Sequence, residues 1–319
     1  DPDTSELHFA LGNLFRRRGE YDRAVRVHEH LLSRGDLSDK DRDRAQHALA
    51  LDFLKAGLLD RAEAALQRLE GTAFESQARL ALLAIHERSR DWPLATAIAH
   101  KMQQSQQGDF STRQAHYLCE QAQTQIAEQD WDGATQRLQQ ALQTAAQAPR
   151  PRIELAKLQL RLGQAPEAVA TLTAMGSETP HALPLAAALL AQAAQAAGQE
   201  RQVLHFLCQH YENAPSLDVL DSIVALEPLA GSAPLQGRMW YAHHLKKEPS
   251  LVAAAKWIAG EALEHPQFQP QVQRALDHAA QPLTRYRCAA CGFEARQHFW
   301  QCPGCQTWDS YPARRIEEL

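Results

Sequence analysis

Apolar residues recur three or four positions apart through most of the chain, with glycines between the apolar runs. The first example runs from Leu11-Gly12-Asn13-Leu14-Phe15 to Leu31-Leu32, with Gly19 and Ala24 between them. This spacing places apolar side chains on one face of an α-helix, and a glycine between two such runs marks a turn. The pattern therefore predicts pairs of antiparallel helices and a chain that is mainly α-helical.

The helix pair repeats along the chain. The small residue of its second helix returns at intervals of 38, 33, 39, 34 and 35 residues. A period near 34 residues is typical of tetratricopeptide repeats, whose stacked helix pairs bury a continuous core. We predict a helical solenoid of about six pairs over residues 1–215, although Arg90 and Gln129 stand where the turn glycine belongs. The anchor positions are Ala24, Ala62, Ala95, Ala134, Ala168 and Val203.

The repeat pattern fades after residue 215, but helical periodicity continues. We predict further helices over 216–227, 233–247, 250–264 and 270–280. A solenoid has to cover the apolar face of its last repeat. Residues 216–282 are therefore interpreted as degenerate helix pairs that close the array.

Residues 283–319 have a different pattern, with short predicted strands at 286–288, 293–296 and 299–302. A module of 37 residues cannot bury enough apolar surface to fold on its own core. A bound metal, support from the helices, or both must supply the missing stability. Because the linker at Pro282 is short, we expect the module to pack on the last helices.

The cysteines of this module have the spacing of a metal site. Cys288 and Cys291 form one Cys-x-x-Cys pair, and Cys302 and Cys305 form a second after ten intervening residues. Two such pairs can hold one tetrahedral ion, zinc or iron, with no coordination position left for water or substrate. The pattern predicts a rubredoxin-like or zinc-ribbon β module with a structural or electron-transfer role. Two structural disulfides are the alternative, which needs an oxidising compartment.

Composition and charge exclude several functions. The net charge is −5 and the pI about 6.3, whereas nucleic-acid binders carry an excess of positive charge. The sequence contains no phosphate-binding loop, dinucleotide fingerprint, nucleophile elbow or HExxH motif. Acidic pairs such as Glu317-Glu318 are typical of a solvated surface. We therefore predict no nucleic-acid partner and no catalytic residues.

The first helices of successive tetratricopeptide pairs line a concave surface that binds peptides or protein segments. The phase of the first two repeats predicts which side chains face this surface. They are Phe9, Asn13, Arg16, Arg17, His47, Leu51, Leu54 and Lys55. The repeats thus favour a protein-interaction role.

Three strings carry a resemblance to a known family: residues 8–16, 116–120 and 286–308, the last with both cysteine pairs, Trp300 and Trp308. With repeats followed directly by a two-knuckle module, the chain resembles the lipopolysaccharide assembly protein B family of Gram-negative bacteria over essentially its whole length. The resemblance makes Cys288, Cys291, Cys302 and Cys305 the metal ligands. Gln306 departs from the pattern, since glycine is common after the fourth cysteine, and this puts the metal affinity in doubt.

The resemblance implies a non-enzymatic adaptor that regulates lipopolysaccharide synthesis. Family members help a membrane-anchored AAA+ protease degrade the deacetylase of the committed step of lipid A synthesis. An inner-membrane sensor of lipopolysaccharide opposes them. The expected location is the cytoplasmic face of the bacterial inner membrane, where family members are held by an N-terminal membrane helix. That helix is absent here, which agrees with a chain that begins at Asp1 rather than Met.

Two other functions stay open from the residues alone. If the module binds iron, the protein is a one-electron redox carrier of the rubredoxin type. If the repeats act alone, it is a generic protein-interaction scaffold. The sequence also leaves open the choice between zinc and iron, the formation of a homodimer and the way the metal module docks on the repeats.

Overall fold

Pairs of consecutive helices make up most of the structure. The computed structural model describes residues 2–231 and 236–319. Among the described residues, twelve α-helices precede residue 215 and form six successive pairs, so the predicted mainly α solenoid of tetratricopeptide type is confirmed. The helices are α1 (Pro2–Arg17), α2 (Tyr21–Ser33), α3 (Asp39–Ala56), α4 (Leu59–Gln67), α5 (Glu75–Ser89), α6 (Trp92–Gln104), α7 (Ser111–Ala127), α8 (Trp131–Thr144), α9 (Pro149–Arg161), α10 (Ala165–Glu178), α11 (Leu183–Ala197) and α12 (Glu200–Asn213).

The six anchor residues lie where the repeat pattern requires a small side chain. The five alanines are fully buried, and Val203 is 1% exposed. Each lies on the second helix of its pair. A larger side chain at these positions would force the two helices apart.

The turns inside the pairs use the left-handed backbone conformation. Gly57 and Gly163 have φ of 76° and 77°, a region that glycine enters at no steric cost. Arg90 and Gln129 take the same conformation at φ of 58° and 63°. A residue with a Cβ pays about 1–2 kcal/mol there, so the turn geometry persists in the repeats that lack the glycine.

The described chain divides into two compact units, one ending at Gln121 and the other beginning at Ala122. In the first unit, Phe53, Leu66 and Ile85 belong to the main apolar cluster. In the second unit, a larger cluster runs from Ile153 to Ala280 and includes Trp240. The domain limits at 215/216 and 282/283 stay predictions.

A buried polar network joins the first three helices. The fully buried carboxylate of Asp52 on α3 accepts hydrogen bonds from His28 Nδ1 at 2.5 Å and from Arg16 Nη1 at 3.0 Å. Arg16 on α1 also donates to Asn13 Oδ1 at 2.6 Å. Because unpaired polar groups are costly in an interior, the network fixes how α1, α2 and α3 pack.

Gly12→Ala tests this packing. A Cβ on Gly12 would lie 2.4 Å from His28 Nε2 and 2.5 Å from its Cε1. Because Asp52 holds the imidazole in place, we expect the substitution to lower the free energy of unfolding by about 1–3 kcal/mol, although alanine favours helices. Urea denaturation measures the change. Gly35→Ala is the control, since nothing lies within 4 Å of its Cβ; equal losses in both variants would contradict the prediction.

Four further α-helices follow the repeats in the described part of the second unit. They are α13 (Leu217–Ala230), α14 (Met239–Lys247), α15 (Leu251–Ile258) and α16 (Gln269–Ala280). Helix α13 continues beyond the predicted end at 227 and includes Pro228, although a proline at that position removes the N–H donor of one i→i−4 hydrogen bond. Helix α15 ends six residues before 264, since Gly260 and Glu261 close tight turns onto Trp257 and Ile258. Residues 233–235 of the predicted 233–247 helix lie outside the described residues.

Histidine burial makes the stability of the chain depend on pH. Burial lowers the pKa of His244 below its usual 6.5, while Glu248 and Glu317 act in the opposite direction. Burial also lowers the pKa of His47 and of His210. The folded chain therefore binds protons less readily than the unfolded chain, and stability is lost as the pH falls below about 6.5.

We expect the urea midpoint to fall between pH 7 and pH 5 and His244→Gln to reduce that fall. Chemical denaturation of both proteins at several pH values measures it. A urea midpoint that rises on acidification would contradict the role given to histidine burial. So would a midpoint that falls as much in His244→Gln as in the wild-type protein.

Candidate metal centre

The first cysteine pair lies in a turn between two short strands. Strand β1 (Tyr286–Arg287) pairs antiparallel with β2 (Glu294–Ala295), with Tyr286 opposite Ala295. The turn is closed by a hydrogen bond from the N–H of Cys288 to the carbonyl of Phe293 at 2.9 Å. Gly292 has φ of 77°, so the chain reverses after Cys291 and both sulfurs point to the same side.

The second cysteine pair repeats this turn. The N–H of Cys302 donates to the carbonyl of Thr307, and the N–H of Gln306 donates to the carbonyl of Cys302, both at 2.9 Å. Gln306 has φ of 62°, so it takes the conformation of Gly292 despite its side chain. The segment 299–302, predicted as a third strand, forms only the isolated bridge between Gln301 and Trp308.

The four sulfurs have the separations of a tetrahedral site. Cys288 Sγ lies 3.8 Å from Cys305 Sγ, and Cys291 Sγ lies 3.7 Å from Cys302 Sγ. All four lie within 4.8 Å of one another. A tetrahedron with metal–sulfur bonds of about 2.3 Å has edges of about 3.8 Å. The residues therefore fit one tetrahedral ion, and the distances are far from the 2.03–2.05 Å of a disulfide.

Hydrogen bonds to the sulfurs favour thiolates at two positions. Burial acts to raise the pKa of Cys288, but the Ser310 hydroxyl and the N–H groups of Cys291 and Ala290 outweigh it and bring the pKa to about 6. The Thr307 side chain and backbone lower the pKa of Cys305. Thiolates are the form that binds metal, so the protein around these sulfurs is arranged for a cation.

Cys291 shows why a cation is needed. The N–H of Phe293 lowers the pKa of Cys291, but desolvation and the neighbouring sulfurs of Cys305, Cys288 and Cys302 outweigh it and raise the pKa to about 12. Several thiolates this close repel one another. A bound ion relieves the repulsion, and its binding is then coupled to the folding of the module.

Aromatic rings enclose the inner side of the centre. Tyr286 and Tyr311 are 5% and 4% exposed and cluster with Cys288 and Cys302. Phe293, one of the aromatic residues around the cysteines, is 43% exposed. The centre is therefore buried on the side of the helices and open on the side of Cys291, which is exposed.

Arg315 attaches the module to helix α13. Its guanidinium forms two bonds with the Asp218 carboxylate, at 2.9 and 2.7 Å. It also donates to the carbonyl of Thr284 at 2.8 Å and lies 4.1 Å from the ring centre of Tyr286. One side chain thus joins the last residues of the chain, the start of the module and the helical array.

Glu317 and Glu318 cap two helices. Glu317 Oε1 accepts from the N–H groups of Leu251 and Val252, at 2.5 and 3.1 Å, at the start of α15. Glu318 Oε1 accepts from the N–H of Leu217, at 2.7 Å, at the start of α13. Carboxylates are stabilising at helix N-termini because free N–H groups and the helix dipole meet there.

The prediction that Glu317 and Glu318 lie on a solvated surface is wrong. The helices that the two residues cap lie 66 and 101 positions away in sequence, so no local signal reveals them. We name residues 315–318 the C-terminal clamp. The clamp agrees with the prediction that the module packs on the last helices.

Apolar contacts complete the docking. Leu185 of α11 packs on the aromatic cluster of the module. In return, Leu283 and Trp300 pack against the core of the second unit. The guanidinium of Arg150, at the start of α9, lies 6.0 Å from the Trp300 ring.

The partner-binding residues predicted on α1 differ from one another in how far they are exposed. Phe9 is 1% exposed and packs with Leu31, so it belongs to the core and offers no surface to a partner. Asn13 and Arg16 are half-buried in the Asp52 network. Arg17 is exposed. The phase of the repeat does not distinguish the concave face of a helix from the adjacent face that meets its neighbour.

The predicted residues of α3 lie nearer to the surface. His47 stacks on Phe74 with ring centres 4.9 Å apart. Leu51 is half-buried, Leu54 is half-buried against the core of the first unit, and Lys55 is exposed. Their role in binding a partner stays a prediction.

Family comparisons agree with both parts of the structure. The rubredoxin metal binding domain family matches residues 286–311. Tetratricopeptide repeat families match residues 7–43 and 125–211. The two kinds of match lie on the cysteine turns and on the helix pairs respectively.

Curated relatives extend over the whole chain. Lipopolysaccharide assembly protein B of Escherichia coli K12 is 28% identical over 327 residues, which cover 100% of this chain and 84% of the relative. The resemblance to lipopolysaccharide assembly protein B is confirmed. The protein of that name from Haemophilus influenzae is 26% identical and covers 96% of this chain and 78% of the relative.

Among solved structures, the C-terminal part of a repeat-containing protein from Cytophaga hutchinsonii matches with a TM-score of 0.39 and 12% identity. The match covers 79% of this chain and 94% of that chain. In the residues described here, we find no helix with the length and apolar character needed to cross a membrane.

Proposed function

We propose that this protein is a non-enzymatic adaptor that controls lipopolysaccharide synthesis. In this role it presents the deacetylase of the committed step of lipid A synthesis to a membrane-anchored AAA+ protease. It acts at the cytoplasmic face of the inner membrane, where a lipopolysaccharide sensor opposes it. The observation that carries the proposal is the similarity to lipopolysaccharide assembly protein B, which spans both the helix pairs and the metal module.

The fold supports an adaptor by supplying two surfaces of different kinds. Stacked helix pairs offer an extended surface for protein segments, and the module offers a small, rigid surface beside the exposed Cys291. An adaptor that holds a substrate beside a protease replaces a bimolecular search by a local one, which raises the effective concentration. The adaptor role requires that the protein bind and orient the substrate, and it needs no catalytic side chain.

In this proposal the metal, zinc or iron, is structural. Cys288, Cys291, Cys302 and Cys305 would hold it. When bound, the ion supplies charge neutralisation and folding free energy. Four sulfur ligands leave no position for a substrate, and the C-terminal clamp transmits the order of the module to α13 and α15.

A cell assay tests the adaptor role. We expect Cys288→Ser combined with Cys291→Ser to lengthen the half-life of the deacetylase, measured after translation is stopped. Cys208→Ser on α12 is the control and should leave the half-life unchanged. Normal deacetylase turnover with the double variant, or failure of both protease and deacetylase to co-purify with the wild-type protein, would overturn the proposal.

A one-electron carrier is the second candidate, and the exposure of Cys291 favours it because electron transfer needs a centre near the surface. It requires bound iron with ferric–thiolate absorption and reversible reduction. Elemental analysis and a visible spectrum of protein purified without added metal decide between the two. Protein that holds only zinc would exclude this candidate.

A further inference from the structure

A cleft of 380 Å³ lies along helix α9 in the second unit. Arg150, Glu154, Lys157 and Arg161 line it from α9, at positions that share one face of the helix. Ile126 contributes from α7 and supplies part of an apolar wall. Helices α7 and α9 are both the first helices of their pairs, and first helices form the binding surface of tetratricopeptide arrays.

The cleft is positive although the chain is negative. Its lining contains three cationic side chains and the single carboxylate of Glu154, whereas the whole chain has a net charge of −5. Lys157 and Arg161 are exposed. A concave surface with an excess of one sign concentrates ligands of the opposite sign.

The polar side chains of the cleft are held in place. Glu154, 5% exposed, accepts from Gln123 Nε2 at 2.6 Å and from Lys157 Nζ at 3.0 Å, so it fixes the position of Lys157 at the cleft. The Arg161 guanidinium lies 4.6 Å from the ring centre of Trp131. Stacking on a ring fixes the plane of a guanidinium while its N–H donors stay available.

The cleft is also connected to the metal module. Arg150 is 5% exposed, and its guanidinium lies 6.0 Å from the ring of Trp300. Trp300 packs against the helical core only when the module is docked, because it belongs to the module. Loss of the metal would therefore disturb one end of the cleft.

We propose that this cleft binds a carboxylate-bearing segment of a protein partner, with apolar side chains beside the carboxylates. The carboxylates contact Lys157 and Arg161, and the apolar side chains contact Ile126. Guanidinium and ammonium groups form their strongest hydrogen bonds with carboxylates. The inference rests on the proposed adaptor role, since it states the chemistry of the segment that the adaptor holds.

Fluorescence anisotropy with labelled eight-residue peptides tests the inference. One peptide alternates Glu and Leu and has an amidated C-terminus, and a second alternates Gln and Leu and has a free C-terminal carboxylate. A third alternates Gln and Leu and is amidated. We expect the Glu/Leu peptide or the Gln/Leu peptide with a free carboxylate to bind more tightly than the amidated Gln/Leu peptide. Comparing the first two peptides shows whether the cleft binds acidic side chains or a C-terminal carboxylate. Binding should weaken as salt is raised.

Paired variants locate the binding. The double variant Lys157→Gln/Arg161→Gln should lower the affinity for the more tightly bound peptide at least tenfold. The control double variant Arg201→Gln/Lys246→Gln removes two exposed charges elsewhere in the second unit, and it should change that affinity less than twofold. Equal binding of all three peptides, or equal effects of the two double variants, would overturn the inference. Binding to phosphatidylglycerol vesicles but to no peptide would also overturn it. If no peptide binds while the cysteine variants still stabilise the deacetylase, the proposed role of the cleft is disproved and the proposed adaptor function is not.

Discussion

Serine at both Cys288 and Cys302 is expected to remove the metal and unfold the module. These two sulfurs are 1% and 0% exposed, so they form the inner half of the site. Structural zinc sites contribute about 10–16 kcal/mol of binding free energy, far more than a module of this size gains from its own core. Elemental analysis should show the metal content fall from one equivalent to none.

The loss should be confined to the module. Trp300 and Trp308 report on it by fluorescence, while far-ultraviolet circular dichroism should keep most of its helical signal because the helix pairs have their own core. Cys208→Ser is the matched control, since it removes a half-buried thiol outside the site. A double variant that retains one equivalent of metal would show that other groups hold the ion.

Arg315→Ala is expected to release the folded module from the helices. The substitution leaves the carboxylate of Asp218, 19% exposed, without the bidentate partner that it has at 2.7 and 2.9 Å. Removing one member of a buried ion pair lowers the stability by about 3–5 kcal/mol. Because Arg315 and Asp218 are partly exposed, we expect a cost near the lower end of this range. Hydrogen exchange should increase at the starts of α13 and α15 and in residues 283–287, while the metal content stays at one equivalent.

Arg314→Ala is the control for this variant, because Arg314 is adjacent in sequence and exposed. It should leave exchange unchanged. A double-mutant cycle with Asp218→Asn should show a coupling of about 1.5–3 kcal/mol, the range for hydrogen bonds to charged groups. Additive effects of the two substitutions would mean that this pair does not hold the module.

The cysteine and clamp variants separate two contributions to the proposed function. The cysteine variants remove the metal and with it the module, whereas Arg315→Ala keeps the module but frees it from the array. If the adaptor needs both surfaces in a fixed arrangement, both kinds of variant slow deacetylase turnover. If it needs only a folded module, the clamp variant alone keeps turnover normal.

The repeats could be predicted because their information is local. A small residue near every 34th position, such as Ala62 or Ala168, marks where two helices cross, and a positive φ at Arg90 shows that the turn persists without its glycine. The metal site could be predicted for the same reason. Two residues between paired cysteines are the spacing of a tight turn that brings both sulfurs to one centre.

The surface of the repeats could not be predicted in the same way. Helical phase gives the angle of a side chain around its own axis but not which neighbour covers it. Phe9 therefore lies in the core with Leu31, and Arg16 is drawn into the network around Asp52. The positions of Lys157 and Arg161 along one cleft likewise depend on packing, because Glu154 accepts from the first and the Trp131 ring lies beside the second.

The sequence alone determined the helix pairs, the four sulfur ligands and the resemblance to lipopolysaccharide assembly protein B, because each depends on residues close together in the chain. Only the tertiary structure decided how the module is attached. Glu317 and Glu318 cap helices that begin 66 and 101 positions earlier, and Arg315 reaches Asp218 over a similar separation. Hydrogen bonds over such separations follow from the path of the folded chain, which brings unsatisfied N–H groups to carboxylates that no spacing rule connects.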